Sequence, residues 1–103
     1  MAELKPLKIL DDGYDKLFEN RIRLSIMSVL AANESYDFVS LKQLLQVTDG
    51  NLTTHLKALE NAGYISSCKQ FIGRKPNTSF SITDAGRCSF SAHINALSKL
   101  LNF

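Results

Sequence analysis

The sequence is poor in the residues that mark several large classes of protein. Among its 103 residues there are two cysteines, two prolines, five glycines and no tryptophan. Two cysteines are too few for a disulfide scaffold, and so little proline and glycine excludes collagen-like and linker-like chains. No apolar run approaches the roughly 20 residues that span a bilayer, and the N-terminus lacks the layout of a signal peptide. We therefore expect one cytoplasmic domain with its own apolar core.

The residues that bind metals or perform covalent chemistry are also scarce. Cys68 and Cys88 have no short metal-ligand spacing, and only His55 and His93 are available to join them. We expect no metal and no cofactor, with both thiols reduced and buried as small apolar side chains; redox sensing is the minor alternative. No nucleophile, base and orienting group occur together, which argues against an enzyme.

The net charge of +2 is unevenly distributed along the chain. Residues 1–39 carry five basic and seven acidic side chains, whereas residues 40–82 carry five basic and two acidic ones. Residues 83–103 carry two basic side chains and one acidic side chain. The excess of positive charge in the middle favours a polyanionic partner for that segment.

The N-terminal third predicts an irregular arm followed by a long helix. Pro6 and the Asp-Asp-Gly at 11–13 mark residues 1–13 as the arm, and residues 14–103 form the predicted domain. Residues 14–33 have a helical period with two apolar stripes. One stripe contains Phe18, Ile22, Ile26, Val29 and Leu30, and the other contains Leu17, Leu24, Met27 and Ala31. A helix that is apolar on two sides requires cover on both.

The middle of the chain predicts two short helices after an extended segment at 36–39. Ser40 and Gln43 form a capping-box pattern, which places a helix at 41–47. After the turn-rich residues 48–51 a second helix runs to Ala62, where Gly63 ends it in the left-handed conformation. Its inward face is formed by Leu52, Leu56 and Leu59.

The last third changes to the period of β-strands and then returns to a helix. Strands are predicted at 64–72 and 78–82, around a polar loop at 73–77. Thr83 begins a helix that continues to the C-terminus, with an inward stripe of Phe90, Ile94, Leu97 and Leu101. The predicted fold is a winged helix-turn-helix: mainly α with a small β-hairpin wing (α+β) and long N- and C-terminal helices.

The second middle helix presents a compact polar face. With its leucines inward, Gly50, Thr54, Lys57 and Asn61 point away from the core. Polar side chains for base edges and a cation for the backbone are what a helix needs to enter the major groove. An ordinary solvated helix face has the same composition, so this pattern alone does not decide between the two.

The predicted hairpin tip adds a second cationic feature. Arg74 and Lys75 lie between Gly73 and Pro76, in a position to reach phosphates or an adjacent minor groove. Two like charges on a loop tip often serve only solubility. Together with the polar helix face, they favour a grip on nucleic acid.

The segment TDGNLTTHLKALENAGYI at 48–65 resembles the recognition helix of small winged-helix transcriptional regulators related to the MarR and ArsR families. The resemblance continues through 20–24, 71–76 and 81–87 and covers about residues 15–101. It implies a homodimeric prokaryotic regulator that binds a palindromic site on double-stranded DNA. The cysteine-rich signature of the arsenic-type metal sensors is missing, so metal sensing is unsupported.

The resemblance also assigns roles to individual residues. The wing would contribute Arg74 and Lys75, and the preceding helix would place Lys42 and Gln43 on the flanking backbone. The residues assigned to the major-groove helix are Asn51, Thr53, Thr54, His55 and Lys57. No small-molecule effector is assigned.

A homodimer is also expected from the spare apolar stripes on the first and last helices. Paired across a two-fold axis, these helices would bury the surplus apolar surface. The interface residues predicted in this way are Leu17, Leu24, Met27, Cys88, Ala92, Ala96 and Leu100. The alternative is that these stripes pack inside one chain. A winged-helix module that binds another protein instead of DNA is the alternative function.

Overall fold

A computed structural model describes residues 13–102, and it confirms the winged helix-turn-helix fold. A 3₁₀ helix at Lys16–Glu19 precedes four α-helices and three β-strands. The α-helices are α1 (Arg21–Ala32), α2 (Phe38–Leu45), α3 (Asp49–Asn61) and α4 (Asp84–Leu101); the strands are β1 (Tyr36–Asp37), β2 (Ile65–Ile72) and β3 (Lys75–Ile82). Apart from Gly13, the predicted N-terminal arm lies outside the described residues.

The prediction of one unbroken helix over 14–33 was wrong, because Asn20 divides it. The Asn20 backbone is extended (φ −75°, ψ 128°), and its side-chain oxygen accepts hydrogen bonds from the N–H groups of Ile22 and Arg23 at 2.9 and 3.1 Å. An asparagine in this geometry is an N-cap. The chain therefore enters α1 from a separate 3₁₀ turn.

The helix α2 begins three residues earlier than its capping-box pattern predicts. The Asp37 carboxylate accepts hydrogen bonds from the Ser40 N–H at 3.1 Å and the Ser40 hydroxyl at 2.6 Å. These bonds lower the pKa of Asp37. Ser40 is thus a partner of the cap and not the cap itself. The helix ends at Gln46, which adopts the left-handed conformation with φ 53°.

The predicted end of α3 at Gly63 is confirmed, but the helix begins at Asp49, inside the segment 48–51 that was predicted as a turn. The Thr48 hydroxyl accepts a hydrogen bond from the Asn51 N–H at 3.2 Å and caps the helix. At the other end Gly63 has φ +80°, and the N–H groups of Gly63 and Tyr64 donate to the carbonyls of Glu60 and Leu59. This pair of hydrogen bonds is a Schellman motif, which requires the left-handed residue that glycine supplies.

The three strands form an antiparallel sheet in the order β1-β3-β2. The hairpin is longer than predicted, because Ile72 pairs with Lys75 and only Gly73 and Arg74 remain as its loop. Gly73 has φ +66° at the first loop position, which two-residue type II′ turns reserve for glycine. Residues 75–77, predicted as loop, therefore belong to β3.

The core lies between α1, α3 and the base of the sheet. Leu52, Leu56 and Leu59 are buried as predicted. The other members of this buried cluster are Phe18, Ile26, Met27, Leu30, Leu41, Ile65 and Phe80.

The predicted apolar stripe of α4 is only partly buried: Phe90 and Leu97 are half-buried, and Phe90 packs against the core. Gly86, His93 and Ala96 are buried, whereas Ile94 and Leu101 are 41% and 86% exposed. A Cβ on Gly86 would lie 2.0 Å from the Tyr64 carbonyl oxygen. Because only glycine permits this close approach, backbone contact and not the apolar stripe sets the rotation of the helix.

The prediction that both thiols are buried was wrong. Cys68 on β2 and Cys88 on α4 are exposed. Cys68 pairs with Ser79 in the register, on the face of the hairpin opposite to the buried Phe80. Among residues 13–102, no helix is long and apolar enough to cross a membrane.

Candidate nucleic-acid interface

Within the part of the chain that the structure describes, the outward face of α3 is exposed. Asn51, Thr53, Thr54 and Lys57 are exposed, as the helical spacing predicts. The four side chains share the half of the helix that faces away from its three buried leucines. The protomer therefore presents a short polar helix with one cation for contact with another molecule.

Hydrogen bonds within α3 define what its threonines offer to a ligand. The Thr54 hydroxyl donates to the Gly50 carbonyl at 2.9 Å, which uses its one proton. The hydroxyl oxygen keeps its lone pairs as acceptors, and the side chain is exposed. In this state Thr54 can accept a hydrogen bond from a base amino group or contact a thymine methyl group.

The N-terminus of α3 carries an ion pair with α2. The Lys42 ammonium lies 2.7 Å from the Asp49 carboxylate. Both side chains are largely solvated, so the pair contributes little stability. The predicted phosphate contact of Lys42 is thus occupied by an acidic partner in the free protein. Gln43, its predicted companion, is exposed.

His55 is partly withdrawn from the outward face. Its Nδ1 lies 3.1 Å from Nη1 of Arg23, and the Arg23 Nε donates to the Leu17 carbonyl at 2.6 Å. Arginine only donates, so Nδ1 is the acceptor and the ring proton of neutral His55 lies on Nε2. Burial and the neighbouring guanidinium both lower the pKa of His55. His55 therefore links α3 to α1.

The base of the wing and α3 enclose a groove of about 340 Å³. Lys57 lines it from the helix, and Lys69 lines it from β2. The groove is also lined by Phe38, Thr53, Leu56, Glu60, Ser67, Thr78 and Phe80. Glu60 accepts a hydrogen bond from the Ser67 hydroxyl at 2.8 Å. The acidic side chain that lines the groove is therefore hydrogen-bonded to β2.

The tip of the wing combines cations with apolar side chains. Arg74 and Lys75 are exposed there, as predicted. Beside them Phe71 is 75% exposed and Ile72 is 67% exposed. Residues 65–82 contain three basic side chains and no acidic one. The wing is therefore a cationic hairpin with an apolar end.

Neither Arg23 nor Lys69 was predicted to lie in this region. Arg23 interrupts an apolar helix, which is a signal that its side chain has a particular partner. Lys69 lies on a predicted strand with poor alternation, and only the register with Thr78 places it on the face toward α3. The structure brings both residues to the margins of the exposed α3 surface.

The residues predicted for a dimer interface divide into three groups. Met27 and Ala96 are 0% and 1% exposed within the protomer, so their assignment was wrong: both pack inside the chain. The half-buried members are Leu17, Leu24, Ala92 and Leu100, and Cys88 is exposed. The spare stripes are therefore narrower than predicted.

The fold and the exposed α3 surface define the winged-helix class, and comparison with known proteins agrees. Residues 22–101 match the model of the family described as winged helix DNA-binding domain. An uncharacterised protein of Methanocaldococcus jannaschii is 36% identical over 85 residues, which cover 82% of this chain and 92% of that protein.

Two solved structures extend the comparison. A transcriptional regulator homologue from Pyrococcus horikoshii is 29% identical with a TM-score of 0.81, over 99% of this chain and 96% of that one. YusO from Bacillus subtilis has a TM-score of 0.74 at 18% identity, over 98% of this chain and 74% of that one, and shows likeness of fold. This chain belongs to the family of winged helix DNA-binding domains, as a compact member.

Proposed function

We propose that this protein is a homodimeric prokaryotic transcriptional regulator, related to the MarR and ArsR families, that binds double-stranded DNA sequence-specifically in the cytoplasm. The observation that carries the proposal is the exposed polar face of α3 beside a wing without acidic residues. Family membership and the fold shared with the Pyrococcus horikoshii regulator homologue support the same function.

In the proposed complex α3 enters the major groove. Asn51, Thr53 and Thr54 lie toward its N-terminal end, where small side chains and the glycine at 50 permit close approach. Asn and Thr side chains read base edges, and Lys57 neutralises a phosphate. His55 contributes at the margin, because Arg23 already engages one of its ring nitrogens.

The wing and α2 bind the flanking DNA. Arg74 and Lys75 reach a minor groove or its phosphates, and Lys42 and Gln43 contact the backbone beside the major groove. These groups contribute affinity without base preference, and the resulting binding weakens as salt rises because condensed counterions are released.

A dimer places two copies of α3 in successive major grooves, roughly 34 Å apart. The exposed apolar residues Ile94 and Leu101 on α4 support this assembly, since their surface is unfavourable in water. The interface we propose also includes Leu17, Leu24, Cys88, Ala92 and Leu100.

Salt-dependent titration of a mixed-sequence duplex tests the DNA binding. Lys57→Gln removes a proposed phosphate contact, so the slope of log affinity against log salt falls by about 1. Lys99→Gln is the matched control, because it removes the same charge from the C-terminal part of α4. Identical slopes for both variants and the parent protein would contradict the proposed role of α3. Failure of the parent protein to bind duplex at low salt would favour a protein-binding module.

A further inference from the structure

The DNA contacts proposed above use the cations of the wing and give no role to its exposed apolar end. Phe71 and Ile72 place two large side chains in water at the end of a two-residue turn. Neither contributes to the core of the protomer. Exposed apolar groups of this size at the end of a hairpin indicate a surface that becomes covered on binding.

The register of the hairpin separates the two side chains onto opposite faces. Paired residues of an antiparallel ladder lie on the same face, and successive residues alternate. Phe71 pairs with Pro76, and two residues before it Lys69 pairs with Thr78. Lys69 and Thr78 line the groove against α3. Phe71 therefore belongs to the face of the wing on the α3 side, and Ile72, paired with Lys75, belongs to the other face.

The charge around Phe71 identifies the chemistry of its partner. Lys69, Arg74 and Lys75 are the charged side chains of residues 65–82, and all are cations. An exposed apolar side chain on a hairpin whose charged groups are all cations fits a surface that combines stacked bases with phosphates. It does not fit a purely apolar protein surface, on which three ammonium or guanidinium groups would lose hydration without compensation.

We propose that Phe71, supported by Pro76, is an apolar wedge that enters the minor groove and partly unstacks one base step. The inference rests on the proposed DNA binding. Phenylalanine and proline are among the side chains that proteins insert in this way, and the insertion bends the duplex toward the major groove. Pyrimidine–purine steps deform most easily, so the wedge adds a preference for such a step at a position that α3 does not contact.

The experiment uses the full-length protein and the tightest-binding duplex selected from a random pool, with 2-aminopurine placed at successive positions. The fluorescence of 2-aminopurine rises where a base is unstacked. We expect the parent protein to raise it at one step in each wing-contacted region. Phe71→Ser abolishes the rise and lowers affinity by about ten-fold. Its salt slope stays unchanged, because the substitution removes no cation.

Ile72→Thr is the matched control, since it has similar exposure at the same tip and lies on the other face. We expect the fluorescence rise to persist and affinity to stay within about two-fold of the parent. Equal binding and equal fluorescence for Phe71→Ser and the parent would overturn the wedge. A change of oligomeric state in Phe71→Ser, measured by sedimentation without DNA, would assign the surface to a second copy and also overturn it.

Different results would reject the wedge and the proposed DNA binding. If Arg74→Glu with Lys75→Glu weakens duplex binding while Phe71→Ser does not, DNA binding stands and the wedge is rejected. If the parent protein selects no duplex at low salt, the proposed function is rejected and the wedge falls with it.

Discussion

Gly86 shows at the scale of one residue how the absence of a side chain positions a helix. A Cβ at this site would lie 2.0 Å from the Tyr64 carbonyl oxygen and within 3 Å of two further Tyr64 backbone atoms. Backbone cannot move aside as the end of a flexible side chain can. The contact fixes how closely α4 approaches the start of β2.

Gly86→Ala is therefore expected to destabilise the protein by at least about 2 kcal/mol, because the added methyl group overpacks a backbone contact. The control is Gly50→Ala, where a Cβ meets no atom within 4 Å. That substitution leaves stability unchanged or raises it by up to about 1 kcal/mol. Urea unfolding of the two variants measures both values. Equal stabilities of the two variants would show that α4 can move away from the Tyr64 backbone at no cost in free energy.

His93 joins α4 to the segment before the 3₁₀ helix. Its Nδ1 accepts a hydrogen bond from the Asp15 N–H at 3.1 Å, and its ring packs against those of Tyr14 and Phe18. Burial lowers the pKa of His93, although the charges of Asp15 and Glu19 oppose the shift in part. Protonation would also replace the acceptor at Nδ1 with a donor.

The lowered pKa predicts how stability changes with pH. The unfolded state binds a proton below about pH 6.5, whereas the folded state binds it only at lower pH. The contribution of His93 to the free energy of unfolding is therefore constant above about pH 7 and falls as the pH decreases through 6.5. His93→Gln keeps an acceptor and reduces this slope, as measured by urea unfolding between pH 5 and 8. His55→Gln, measured beside it, isolates the contribution of the half-buried histidine. An unchanged slope in His93→Gln would contradict the assignment.

The helix termini show which element boundaries can be predicted from the sequence. Gly63 was recognised because it has a single local role, and the C-terminal end of α3 is confirmed. Thr48 was predicted only as part of a turn, and it caps the helix. Asn20 and Asp37 were missed as caps because apolar periodicity ran across them and a competing Ser40–Gln43 pattern lay nearby. Local polar side chains decided these boundaries over the hydrophobic period.

The wing also has some features that the sequence reveals and others that it does not. The charges at 74 and 75 and the strand at 78–82 were predictable from alternation and composition. The length of the hairpin was not, because Lys75 and Asn77 resemble loop residues and pair with β2 through backbone groups alone.

The face of α4 that is buried depends on Gly86 and His93, whose partners are distant in sequence and carry no local signal.

The ion pair between Lys42 and Asp49 at the start of α3 competes with DNA phosphate for the lysine. We therefore expect it to lower the affinity of the protein for DNA. Asp49→Asn removes an anion from the proposed interface and releases Lys42 for phosphate. Affinity for duplex is expected to rise by about five-fold at low salt and less at high salt. Asp84→Asn is the matched control, because Asp84 is also the first helical residue after a threonine cap.

Both variants lose the favourable interaction of a carboxylate with a helix N-terminus, which costs about 0.3–1 kcal/mol of stability. Only the change at 49 should alter binding, as measured by fluorescence anisotropy over a salt series. Equal affinities for the Asp49→Asn and Asp84→Asn proteins would show that Lys42 does not contact DNA.

The helix α4 carries apolar surface that the described residues 13–102 leave exposed. The sequence predicted surplus apolar stripes, but Met27 and Ala96 from them fill the core and Ile94 and Leu101 are exposed instead. Periodicity shows that two faces are apolar, and it does not show which face the rest of the chain will cover.

Leu101→Glu with Ile94→Glu is expected to convert the proposed dimer to a monomer in sedimentation velocity at low micromolar concentration. Charges at the interface would be desolvated without partners. Affinity for a duplex with two half-sites falls by about 100-fold or more, while affinity for one half-site is unchanged. Val39→Glu, which adds a charge at an exposed apolar position outside α4, is the control for the sedimentation measurement. A stable monomer in the parent protein would contradict the proposed dimer.

Selection of bound duplexes from a random-sequence pool tests most directly whether the exposed face of α3 reads DNA. We expect enrichment of a palindrome whose half-sites are about 10 base pairs apart, centre to centre. We also expect Thr54→Ala or Asn51→Ala to change the enriched bases. A pool that stays random after successive rounds at low salt, or a motif unaffected by both substitutions, would contradict base recognition by α3.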